Sequence, residues 1–157
     1  MNLFRKIFTG TMLKKILKNG GKIIILGDLK AFPQDIQEES AKVIEMSKGN
    51  TGITINLALN YGGRAELVKA VQEIVTEKID SSDITVDLIS QHLYTKDQPD
   101  PDMIIRTSGE QRLSGYLAWQ SSYSELYFTE TCWPDFDTKE LDKALEEYAR
   151  RERRFGK

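Results

Sequence analysis

The chain has 157 residues, 39% hydrophobic and 29% charged, with a formal net charge of -2. That length suits one domain with a substantial core, and the charge balance excludes a protein that holds nucleic acid by bulk positive charge. A single cysteine, Cys132, and a single histidine, His92, exclude an intramolecular disulfide and a histidine-rich metal centre, and they point to a reducing, cytoplasmic setting.

From Met1 to Gly21 the apolar residues Leu3, Phe4, Ile7, Phe8, Leu13, Ile16 and Leu17 recur at helical spacing among Arg5 and several lysines. Two readings stand: a helix packed on its own domain, or a basic amphipathic helix on a membrane surface. The spread of the lysines is unlike a signal peptide, and no apolar run reaches membrane-spanning length. Asn19-Gly20-Gly21 is a helix-ending signal. Ile23-Ile24-Ile25-Leu26 then reads as a strand, and its unbroken apolar character fits a parallel strand covered on both faces. Pro33 opens a helix to about Ser47, with Ile36, Val43 and Ile44 on its inner face.

Ile53 to Asn60 alternates Ile53, Ile55, Leu57 and Leu59 with polar or small residues, the period of a strand. Tyr61-Gly62-Gly63-Arg64 turns it into a helix marked by Leu67, Val68, Val71, Ile74 and Val75. A glycine pair at a strand-to-helix turn is either a tight turn or an anion-holding helix start. Asp80 to Asp83 breaks that helix, and Val86 to Ser90 forms a shorter one. A polar loop, Thr95 to Pro101, leads to the short apolar strand Met103-Ile104-Ile105. Tyr116 to Glu125 suits a short helix, and Leu126 to Thr129 a further strand. Trp133-Pro134-Asp135-Phe136 makes a rigid corner, and Asp137 with Glu140 has the spacing of a reciprocal helix cap. The last helix carries Leu141, Leu145, Tyr148 and Glu152 along one side. Alternating strands and helices, without repeat or linker, indicate a single α/β domain over 1–157 with a mainly parallel sheet.

The stretch from Asp102 to Ser114 concentrates the chemistry. A buried strand opens into Arg106, Thr107, Ser108 and Gly109, followed by Arg112 and Ser114. In open α/β sheets, ligands collect at the carboxyl ends of strands. Arginine's planar fork bonds two oxygens at once, which suits a phosphate or pyrophosphate. The same residues also suit a surface loop whose arginines pair with carboxylates. Both readings remain open on composition.

This stretch, with Trp119-Gln120, Tyr123 to Thr129 and Trp133 to Phe136, resembles the cis-prenyltransferase family. Asn60 to Arg64 and the closing Arg150 to Gly156 are similar to further signatures of that family in the same order. The resemblance covers essentially the whole chain. It implies a transferase of isoprenoid metabolism that condenses isopentenyl diphosphate with an allylic diphosphate, forms cis double bonds and releases pyrophosphate.

Carried over by motif, Arg106, Arg112, Leu113 and Ser114 would bind the diphosphate of isopentenyl diphosphate. Arg154 and Gly156 would reach the substrate near a subunit interface, and Glu125 would hold magnesium. Gln111 stands where family members often carry a further ligand, histidine. A homodimer and peripheral contact with a membrane through the lipid product are also implied. The family's Asp-Gly-Asn loop, with its catalytic aspartate, occurs nowhere in the sequence, nor does its Ser-x-Glu-Asn element. The chain therefore resembles the carboxyl-terminal portion of such an enzyme, without a catalytic residue of its own and with little expected synthase activity alone. The alternative is a non-catalytic partner subunit of a cis-prenyltransferase complex.

Overall fold

The structure, a computed structural model, describes residues 10–151. Helix α1 covers Thr11–Lys18, the described part of the helix expected from Met1 to Gly21. It stops where the glycine signal lies. Gly20 adopts φ +71, and the Gly20 and Gly21 amides donate to the carbonyls of Leu17 and Ile16. Those bonds satisfy two of the carbonyls that a helix end leaves open. Residues 1–9, with Leu3 to Phe8, lie outside the described residues, as do Glu152, Arg154 and Gly156.

Strand β1 (Lys22–Leu26) follows directly and pairs in parallel with β2 (Thr54–Ala58), with Ile23 opposite Ile55 and Leu26 opposite Ala58. Helix α2 (Gln34–Ser47) crosses between them behind Pro33. Its buried Ile36 and Val43 meet Ile23, Leu13 and Leu59 in the main apolar cluster. The buried Ser47 hydroxyl locks the layer by accepting the Ile23 amide at 3.0 Å. In β2, Ile55 and Leu57 face inward while Thr54, Asn56 and Ala58 face out, as the alternation predicts. Ile53 is the exception, 73% exposed in the turn ahead of the strand.

Helix α3 (Gly63–Thr76) departs from the expected apolar face. Gly63, Glu66, Ala70 and Ile74 are buried, whereas Val68, Val71 and Val75 are exposed. The helix thus turns a glutamate inward and a row of valines outward. After the Asp80-capped turn Ser81–Asp83 and the short α4 (Val86–Gln91), strand β3 (Met103–Arg106) pairs in parallel with β4 (Glu125–Phe128). The parallel order is as read, divided here into two two-stranded pairs, β1–β2 and β3–β4.

The helix expected over Tyr116 to Glu125 is reduced to the 3₁₀ turn Gln120–Tyr123. Leu117 sits at φ +45, in the left-handed region, which a right-handed helix cannot pass through. At the Trp133–Asp135 corner the rings of Trp133 and Phe136 stack 5.9 Å apart. Helix α5 (Thr138–Arg150) is capped by Asp137, whose carboxylate accepts the Lys139 and Glu140 amides. The reciprocal half of that cap is absent, because Glu140 turns to Lys143 and Thr131. Ala144 is the buried residue of α5, with Leu141 and Leu145 partly open to solvent. No described helix is long and apolar enough to cross a membrane.

Candidate functional site

Strand β3 delivers Arg106 at its carboxyl end, and the ladder then frays into the arginine loop. The Ser108 and Gly109 amides still reach across to the carbonyls of Thr131 and Thr129 at 3.0 and 2.9 Å. Beyond them the backbone leaves ordinary geometry repeatedly. Ser108, Ser114 and Leu117 all have positive φ, at 71, 51 and 45 degrees, alongside Gly109 and Gly115. Non-glycine residues in the left-handed region cost roughly 1–3 kcal/mol each, and such positions gather at ligand sites. They persist only where surrounding contacts hold them.

The contacts that hold this loop come from the start of α3. The Gly63 amide donates to the Gly115 carbonyl at 3.1 Å. A Cβ on Gly63 would lie 2.4 Å from that oxygen and 2.9 Å from the Ala118 Cβ. The glycine therefore lets loop and helix touch backbone to backbone, the role in which glycine has no substitute. Gly62, Gly63, Arg64, Ala65, Ser114 and Gly115 line an open cleft of about 530 Å³. It receives the amino end of a 14-residue helix, where backbone N–H groups and the helix dipole favour an anion.

A buried polar cluster begins at the next residue of α3. The Glu66 side chain, 2% exposed, accepts the Tyr61 hydroxyl at 2.6 Å and the Tyr94 amide at 2.8 Å. Gln120 Nε2 donates to Glu66 at 3.3 Å and to the Thr95 hydroxyl at 2.9 Å. Burial, and then the Glu66 carboxylate beside it, push the Tyr61 hydroxyl pKa far above its ordinary value. The Tyr61 ring packs edge-on against Tyr94 and Tyr116. Nothing in the sequence pattern had marked Glu66. A glutamate in the first turn of a helix reads as a solvated dipole partner.

Of the residues expected at the site, Ser114 is brought into the cleft beside α3. Arg106 ends β3 and makes no ion pair among the described residues. Arg112 is largely exposed and paired with Glu110. Leu113 is half-buried, and its carbonyl accepts the Tyr116 amide at 2.9 Å, closing the turn that holds Ser114. Glu125 stands elsewhere. The register sets it opposite Met103, at the amino end of the ladder whose carboxyl end carries Arg106. Three residues of strand separate the two levels by about 10 Å. Its carboxylate is held by Arg151 Nη1 at 2.8 Å. Among the described residues no three His, Cys, Asp or Glu side chains converge as a metal cage. Glu125 offers two hard oxygen donors, which fits magnesium only as one carboxylate completed by substrate oxygens.

Comparison with known proteins adds an independent line. A prenyltransferase family model described as "Putative undecaprenyl diphosphate synthase" matches residues 1–156. The isoprenyl transferase of Fusobacterium nucleatum is 48% identical over 99% of the chain and 66% of that relative. That of Porphyromonas gingivalis is 45% identical over 100% of the chain and 63% of the relative. The chain thus spans just under two thirds of the length of these relatives. Among solved structures, lavandulyl diphosphate synthase from Lavandula x intermedia, in complex with dimethylallyl diphosphate, superposes with a TM-score of 0.93 at 31% identity. That match covers 100% of this chain and 70% of the plant protein. A "probable undecaprenyl diphosphate synthase" from Campylobacter jejuni gives a TM-score of 0.87, covering 99% and 72%.

Proposed function

Since the chain belongs to the prenyltransferase family of the undecaprenyl diphosphate synthases, we propose that its arginine loop binds isopentenyl diphosphate for a prenyl-transfer reaction. In that reaction the homoallylic diphosphate is joined to an allylic diphosphate, and pyrophosphate is released. The observation that carries the reading is the cleft where Ser114 and Gly115 meet the amino end of α3 beside Arg64.

The roles follow from charge. A diphosphate seated there meets backbone N–H groups, the positive end of a helix dipole and the Ser114 hydroxyl. Arg112, largely exposed beside Glu110, can exchange that contact for a phosphate oxygen, one charge-assisted contact for another. Arg106, without a carboxylate partner among the described residues, is available for the same group. Arg154 and Gly156 are proposed to close over the diphosphate from the chain's end, and Leu113 to hold the turn. Glu125 would hold magnesium only for a diphosphate that reaches the amino end of the β3–β4 ladder, once released from Arg151. When bound, the metal supplies neutralisation of diphosphate charge.

A homodimer is part of the proposal. The exposed row Val68, Val71 and Val75, and the apolar groove between Met103, Ile105, Trp133, Phe136 and Leu141, leave surface of the kind that protein interfaces cover.

Titration calorimetry of the purified 157-residue chain with isopentenyl diphosphate, with and without magnesium, tests the reading. Binding is expected, and Arg112→Ala should weaken it about tenfold, equivalent to about 1.4 kcal/mol. Equal affinity in wild type and Arg112→Ala would remove the arginine loop from the site.

A further inference from the structure

Glu66 places an acidic side chain one residue beyond the lining of a cleft suited to anions. If nearby charge alone governed the cleft, Glu66 would oppose a diphosphate. Its surroundings indicate another role. The carboxylate joins three segments that are distant in sequence. Tyr61 belongs to the turn between β2 and α3, Tyr94 to the loop ahead of β3, and Gln120 to the far end of the arginine loop. Each gives it a donor, and the side chain is 2% exposed. Buried charges persist where such donors replace water.

Glu66 also occupies the first turn of the helix whose Gly63 amide binds the Gly115 carbonyl. The arginine loop is therefore attached to α3 at two points. Gly115 is tied through Gly63, and Gln120 through Glu66. Between them run Tyr116 to Trp119, with Leu117 at positive φ.

We propose that Glu66 is a positioning residue, whose buried carboxylate fixes the arginine loop against α3 and so sets the geometry in which Ser114 and the helix terminus meet a diphosphate. The proposal rests on the diphosphate-binding reading given above. It also makes a prediction with the opposite sign to simple electrostatics.

In Glu66→Gln an amide replaces the carboxyl group and cannot keep all three bonds as they stand. The carboxylate takes Tyr61 and Gln120 on Oε2, and the Tyr94 amide on Oε1. With its oxygen in the Oε2 position, glutamine turns NH₂ toward the Tyr94 N–H. Flipped, it turns NH₂ toward Gln120 Nε2. Either orientation sets NH₂ against a donor of the native network, so the Gln120 amide or the loop must rearrange to relieve it.

The test uses the 157-residue chain, titration with isopentenyl diphosphate, and amide hydrogen exchange. Glu66→Gln should raise the dissociation constant at least fivefold. It should also speed exchange at Tyr116 to Tyr123 while exchange in β1 and β2 stays unchanged. A merely structural role would instead speed exchange across the whole chain. Unchanged or tighter binding together with unchanged loop exchange overturns the proposal.

Tyr61→Phe removes one donor and keeps the ring packing, so it decides the matter if Glu66→Gln does not fold. It should speed loop exchange at least twofold, and no change would overturn the proposal. Should the wild-type chain fail to bind isopentenyl diphosphate, the binding reading falls. The exchange comparison still decides whether Glu66 holds the loop.

Discussion

His92 shows how one side chain can make the fold sensitive to pH. Its Nδ1 lies 2.8 Å from the Leu88 carbonyl, and its Nε2 lies 3.2 Å from the Glu77 carboxylate. Both partners are acceptors, so the doubly protonated ring satisfies them best. The Leu88 carbonyl first, and Glu77 next, raise the pKa above its ordinary value. A raised folded-state pKa adds stability that is complete below the unfolded value, about 6.5, and is lost as pH rises through the folded value. Urea midpoints should therefore fall as pH rises through neutrality. Glu77→Gln should flatten that slope, and a slope unchanged in the variant would assign it to other groups. Glu66 contrasts with His92. Two of its partners lie 28 and 54 residues away, a separation that no local pattern carries.

Among the elements, those defined by their own residues were readable from the sequence, and those defined by their neighbours were not. Strands β1 and β3 follow from short apolar runs, β2 from its alternation, and the end of α1 from its glycines. The inward face of α3 was misread because its valines outweigh its glutamate in any hydrophobic pattern. Burial of Glu66 depends on donors from three other segments. The turn at Gln120–Tyr123 looked helical because its composition is neutral, while the obstacle is the backbone of Leu117.

At α5 the sequence was half right. Asp137 caps the helix through the Lys139 and Glu140 amides at 2.9 and 3.0 Å, whereas Glu140 serves a neighbour. Asp137→Ala should destabilise the fold by about 1 kcal/mol. Glu140→Gln should leave the cap intact, since the cap uses its backbone rather than its side chain. Chemical denaturation of the two variants separates these contributions.

Across the whole molecule the apolar core is unevenly shared. Leu13, Ile23, Ile36, Val43 and Leu59 form one cluster around β1, β2 and α2. In β4 every residue is only half-buried, and in β3 only Ile104 is buried. Local opening follows the density of buried contacts. Amide exchange should therefore be slowest at Ile23 to Leu26 and at least tenfold faster in β4. Equal protection in both pairs would show a single cooperative unit instead. The proposed diphosphate cleft lies where the two pairs meet through Gly63 and Gly115. Binding there should thus act on the weaker half through contacts with the helix that follows β2.

The two tryptophans lie in unlike settings. Trp119, half-buried, gives its indole N–H to Ser90 Oγ at 3.0 Å. Trp133 is 73% exposed and lies flat against Phe136. One indole belongs to the arginine loop and the other to the rim of the apolar groove. The protein therefore carries two intrinsic optical reporters that differ in access to water. Iodide should quench Trp133 ahead of Trp119, so one emission spectrum can follow the surface and the loop without any label.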